Sequence, residues 1–115
     1  FDTGRLARTP AIVYGPDDVL QHRYRASLGI EDGCRHHLCR SSEGFLRMTE
    51  AGLGWGMVPE LQAREQLAAG QLVEICRDTP IDVPLYWHHW RTGGQLLAQL
   101  TDHLRHTARQ WLVPL

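Results

Sequence analysis

Ser41-Ser42-Glu43 sets two hydroxyls and a carboxylate in a row where a helix is expected to open. A hydroxyl and the free N–H groups of a first helical turn can hold a carboxylate. Glu43 or Asp17 can meet an ammonium group or a basic side chain. The same serines can equally do no more than cap the helix, and Glu43 no more than favour its first turn. The pattern admits both readings.

Cys34, His36, His37 and Cys39 are all metal-ligating types. In an extended segment, however, side chains alternate, so Cys34 and His36 share one face while His37 and Cys39 share the other. Four ligands divided in this way do not converge on a tetrahedral zinc, and no metal is expected. His88 and His89, between Trp87 and Trp90, diverge for the same reason and read as part of an aromatic strand. Asp17-Asp18 reads as the start of a helix rather than as a catalytic carboxylate pair.

Gly52, Gly54 and Gly56 raise the question of a phosphate loop. A dinucleotide fingerprint runs strand, glycines, helix. The order here is helix, glycines, strand, which leaves no helix N-terminus after the glycines to receive an anion. Gly52 is expected to stop the helix, and Gly54 and Gly56 to let backbones pack closely. A Gly-x-Ser-x-Gly nucleophile turn is absent, and no Ser/His/Asp set is implied by spacing. The chain is therefore not expected to be an enzyme, and no cofactor is expected.

The elements that must position these residues alternate. "TPAIVYG", Thr9 to Gly15, reads as a buried strand closed by Gly15-Pro16. Asp17 is expected to cap a helix over "DVLQHRYRASL", with Leu20, Tyr24 and Leu28 on one face and Gly29 as its stop. "GIEDG" is a turn, and "CRHHLCR" a weak strand. Ser41 or Ser42 caps the helix "SEGFLRMTEA". "WGMVP" reads as a buried strand, and Pro59 opens the helix "PELQAREQLAA". "QLVEIC" and "VPLYWHHW" read as further strands, the latter from its Val, Tyr and Trp. Gly93-Gly94 leads into a last helix striped by Leu97, Leu100, Leu104 and Trp111. This order implies an α/β fold with a mainly parallel sheet flanked by helices. The two prolines and two aspartates between Cys76 and Pro84 mark a hinge.

The 115 residues suffice for about one modest domain. A formal net charge of -1 gives no basic surface of the kind nucleic acid requires. All 12 basic residues are Arg, which reads as genome composition rather than chemistry. No apolar run approaches the roughly 18–20 residues of a membrane span. The odd, sparse cysteines Cys34, Cys39 and Cys76 suggest free thiols and a reducing, cytoplasmic setting.

At "SSEGFLRMTEAGLGWGMVPELQAREQLAAGQLVEI", Ser41 to Ile75, the chain resembles the effector-binding domain of LysR-type transcriptional regulators. The run Ser-Ser, helix, Gly-Leu-Gly-x-Gly-Met-x-Pro, helix, Gly, Leu-Val is similar to their distal subdomain. "DVPLYWHHWR" and the leucine-striped last helix resemble the strand and helix that return to the proximal subdomain. "DDVLQHRY" and "LYWHHW" look most like the ArgP/LysG branch, whose members respond to arginine or lysine. Gly15 stands where branch members often carry an acid. The resemblance spans about Ala11 to Trp111. It implies a fold like the type II periplasmic binding proteins, with two α/β subdomains flanking an effector cleft. Residues 1–83 would be the distal subdomain and 84–115 the crossover strand and C-terminal helix of the proximal one. The helix-turn-helix DNA-binding domain would lie outside this chain. Tyr14, Asp17, Ser41, Ser42, Glu43 and Met57 would then bind a small-molecule effector, arginine or lysine. The complete protein would be a homo-oligomer meeting promoter DNA only through its helix-turn-helix. A solute-binding protein for transport shares the fold and is the alternative, ahead of a small α/β enzyme.

Overall fold

The computed structural model describes residues 2–31 and 33–114 and divides into two compact units, residues 1–81 and 82–115. The turn expected over Gly29–Gly33 includes Asp32, which lies outside the described residues.

The first unit is built around Ala11–Val13, strand β1, in which Ala11 and Ile12 are buried and Val13 is half-buried. Ile12 is fully enclosed. β1 pairs in parallel with β2, His36–Leu38, in the register Ala11 to His36, Ile12 to His37 and Val13 to Leu38. Its other edge is met by Trp55: the Ile12 N–H donates to the Trp55 carbonyl at 2.7 Å, and the Trp55 N–H to that of Pro10 at 3.1 Å. Four helices surround these strands: α1, Thr3–Arg8; α2, Leu20–Ser27; α3, Ser42–Glu50; and α4, Glu60–Ala68. The core is Leu6, Ala11, Tyr24 and Trp55, with Leu28, Ile30, Met57, Ile75 and Ile81 packed against it. The Tyr24 and Trp55 rings meet at 5.9 Å, tilted by 53°, a favourable aromatic arrangement.

Two of the glycines do what their spacing suggested. A Cβ on Gly54 would collide with the Pro10 carbonyl, and one on Gly56 with the Phe45 ring. Gly52 ends α3 at φ +74°, a conformation other residues rarely adopt.

Several expected elements take another form. α1 was not anticipated, because one buried leucine in six residues leaves no periodic signal; Asp2 caps it by accepting from Gly4 N–H at 2.8 Å. α2 begins at Leu20, and Asp18 rather than Asp17 organises its start. The Asp18 carboxylate accepts from Tyr14 N–H at 2.9 Å and from Leu20 N–H at 3.2 Å. "WGMVP" shrinks to a single bridge between Trp55 and Ala11. "QLVEIC" and "VPLYWHHW" form no strand among the described residues. The physical reason is common to all three. A strand needs a hydrogen-bonding neighbour along its length, and composition reports only a tendency to extend.

In the second unit the segment Asp82–Gly93 leads into α5, Gly94–Trp111. Trp87 Nε1–H donates to Thr101 Oγ1 at 3.2 Å, and the Thr101 hydroxyl donates to the Leu97 carbonyl at 2.8 Å. Thr101 is the one buried residue of the helix. Trp87 and His89 stack, their rings 6.4 Å apart. The stripe is uncovered, with Leu100, Leu104 and Trp111 exposed and Leu97 half-buried.

Candidate functional site

Parallel strands share a direction, so the loops that leave them gather at one edge of the sheet. In open α/β sheets ligands bind at that edge. Three loops emerge there in this chain. The first runs from β1 through Tyr14 to Asp18. The second runs from β2 through Arg40 and Ser41 into α3. The third runs from the Trp55 bridge through Met57 and Pro59 into α4.

A cavity of about 610 Å³ opens among these loops. The first loop contributes Tyr14, Asp17 and Asp18, the second Arg40 and Ser42, and the third Met57 and Gln62. Phe45, Leu20, Gly15, Pro16 and Pro59 complete its walls. The volume suits a single small molecule.

The charges of the cavity are unequally committed. Both Asp18 oxygens are engaged by the backbone of its own loop, as described above. That loop is further tightened by the Asp18 N–H, which donates to the Gly15 carbonyl at 3.1 Å. Asp17 is exposed and has no hydrogen bond or ion pair among the described residues. Its carboxylate is open to a cationic group. Ser42 occupies the first helical position of α3. Ser41, one residue earlier, caps that helix by accepting from Gly44 N–H at 3.1 Å, and its carbonyl takes the Phe45 N–H at 2.8 Å. The Ser42 N–H has no acceptor within the helix, because first-turn amides never do. The Ser42 amide and hydroxyl, with the positive end of the α3 dipole, suit an anionic group.

Of the six residues singled out in the sequence, Tyr14, Asp17, Ser42 and Met57 come together in this cavity. Ser41 stands beside it as the helix cap. Glu43 is not part of the lining; it pairs along α3 with Arg47 at 2.9 Å, and both side chains are about three-quarters exposed (76% and 74%). Arg40, Asp18 and Gln62 were not anticipated. Arg40 carried a signal in its position, at the exit of β2 two residues before Ser42. Gln62 carried none, since only the third loop's route brings α4 to this edge.

The side chains of the cysteine–histidine segment differ in exposure. His36, His37 and Leu38 are all exposed, while Cys34 and Cys39 are half-buried. The thiols donate to nearby carbonyls, Cys34 to Thr9 at 3.2 Å and Cys39 to Ser41 at 3.6 Å. Among the described residues no three or more His, Cys, Asp or Glu gather as a metal site would need. No described helix is long and apolar enough to cross a membrane.

Comparison with known proteins bears on the chain as a whole. The LysR substrate binding domain family matches residues 2–109. The HTH-type transcriptional regulator ArgP of Pseudomonas fluorescens is 69% identical over 110 residues, covering 96% of this chain and 37% of that protein. The lysine export transcriptional regulatory protein LysG of Corynebacterium efficiens is 43% identical over 109 residues, covering 91% of this chain and 37% of that protein. The chain thus spans little more than a third of the length of these relatives. Among solved structures, the C-terminal domains of a LysR family protein from Agrobacterium tumefaciens superpose with a TM-score of 0.90 at 39% identity, over 100% of this chain and 56% of that one. Full-length LysG of Corynebacterium glutamicum, with its effector arginine bound, superposes with a TM-score of 0.80 at 40% identity, over 94% of this chain and 38% of that one.

Proposed function

The chain belongs to the LysR substrate binding domain family, and from that premise we propose that it is the effector-sensing part of a transcriptional regulator that responds to a basic amino acid, arginine or lysine. The observation that carries the reading is the cavity at the sheet edge. It joins an uncommitted carboxylate, Asp17, to the N-terminal turn of α3 at Ser42. An amino acid with a basic side chain brings one carboxylate and two cationic groups, and both kinds of partner face this space. The arginine bound to the LysG regulator of Corynebacterium glutamicum supports the same class of ligand.

Tyr14 and Met57 supply apolar walls for the aliphatic stem of such a ligand, and Ser42 fixes its carboxylate. Ser41 acts indirectly by holding the first turn of α3 in place. Residues 1–83 would form the distal subdomain and 84–115 the crossover segment and C-terminal helix of the proximal one. The complete protein would be a cytoplasmic homo-oligomer that meets promoter DNA through a helix-turn-helix domain rather than through this chain. The role is allosteric rather than catalytic. A ligand that binds one arrangement of the oligomer more tightly than another shifts the balance between them.

Calorimetric titration of the complete protein against arginine, lysine, leucine and glutamate tests the reading. Binding of arginine or lysine well ahead of the other two is expected. Equal or tighter binding of glutamate would remove basic amino acids as the effector class.

A further inference from the structure

We propose that Arg40 is a specificity-determining residue of this cavity, holding the α-carboxylate of the effector; the inference rests on the amino-acid effector reading above. Arg40 is the only cationic side chain among the described residues that line the cavity. It is exposed, and it makes no hydrogen bond or ion pair among the described residues. Arg47, by contrast, lies outside the lining and is committed to Glu43. Neither acid on the cavity wall is paired with Arg40: Asp18 accepts from backbone N–H groups at both oxygens, and Asp17 forms no ion pair among the described residues.

The place of Arg40 in the chain gives this charge its role. Cys39 is still tied to β1, its N–H donating to the Val13 carbonyl at 2.8 Å. Arg40 is therefore the first residue released from the sheet, and Ser42 opens α3 two residues later. The guanidinium and the first-turn N–H groups of α3 come from the same short connection. A guanidinium offers a planar, paired set of donors that matches a carboxylate, and a helix N-terminus adds single N–H donors. A basic amino acid bound here would have its carboxylate met by Arg40 and Ser42, and the cation of its side chain by Asp17. Arg40 also opposes a ligand that presents a cation at the carboxylate end, which sets the direction in which a basic amino acid enters.

The test compares L-arginine with L-argininamide, which keeps both cationic groups and replaces the carboxylate by a neutral amide. Titrations are made on the complete protein and on its Arg40→Gln variant. The complete protein should bind arginine about tenfold or more tightly than argininamide, the discrimination expected from charge-assisted hydrogen bonds. Arg40→Gln should weaken arginine by about the same factor and leave argininamide within about twofold, so that the ratio collapses toward one. If Arg40→Gln preserves the ratio, or weakens both ligands alike, Arg40 does not read the carboxylate and the proposal is overturned while the effector reading stands. If the unmodified protein binds neither arginine nor lysine, the effector reading fails, and the role of Arg40 fails with it.

Discussion

In the proposed reading Ser42 and Asp17 meet opposite charges of an amino acid, and each can be probed alone. Ser42→Ala removes a hydroxyl from the first turn of α3 without touching the cap that Ser41 supplies. Loss of a hydrogen bond to a charged ligand should weaken arginine binding by about 1.5–3 kcal/mol, read by calorimetry on the complete protein. Asp17→Asn should weaken arginine and lysine markedly while changing the binding of neutral amino acids little. Glu43→Gln should do much less, because Glu43 is outside the lining and its pair with Arg47 is solvent-exposed. If Glu43→Gln proves the more damaging change, the cationic group of the effector is met at α3 rather than at the first loop. Ser42 was legible in the sequence because helix starts have a chemical signature. The distinction between Asp17 and Asp18 was not. Both are acids in one turn, and only the backbone path decides which of them is used up by Tyr14 and Leu20.

At the scale of elements, the cavity depends on how closely the third loop approaches β1 and α3. Gly56 lies against the Phe45 ring, and both Phe45 and Met57 line the cavity. Gly56→Ala forces that ring to move. It should destabilise the protein by about 1–3 kcal/mol in denaturant unfolding, the usual cost of overpacking. Ser41→Ala should cost about 1 kcal/mol through loss of the α3 cap, with a smaller effect on ligand affinity than Ser42→Ala. The helices α2 to α5 could be read from the sequence because their signals are local: capping residues, stop glycines and apolar stripes. The strands were harder, since pairing is a property of two segments. Val73, Tyr86 and Trp90 have strand-favouring side chains, yet they stand exposed, 84%, 72% and 83% respectively, on backbone that joins no ladder. Gly54 and Gly56 were read correctly because three glycines spaced by two, placed after a helix stop, leave close packing as the simplest explanation.

At the scale of the molecule, the second unit leaves a broad apolar surface uncovered. Leu85, Tyr86, Trp90, Leu96, Leu100 and Trp111 are all substantially exposed, and patches of this kind associate in water. The 115-residue chain on its own should therefore self-associate, giving sedimentation profiles that shift with concentration. A monomer stable across the concentration range would contradict this. The fold class was legible from the alternation of elements, because that alternation admits few architectures. The cavity was legible only in part: Met57 of the third loop was anticipated, but nothing in the sequence marked Gln62 of α4 as part of the same wall. We propose that the space between Tyr14, Asp17, Arg40 and Ser42 receives the effector. A crystal structure of the complete protein with bound arginine tests it most directly. The ligand carboxylate should lie within hydrogen-bonding distance of Ser42 and Arg40, and a cationic group of the ligand at Asp17. Arginine bound elsewhere, with those four residues unengaged, would contradict it.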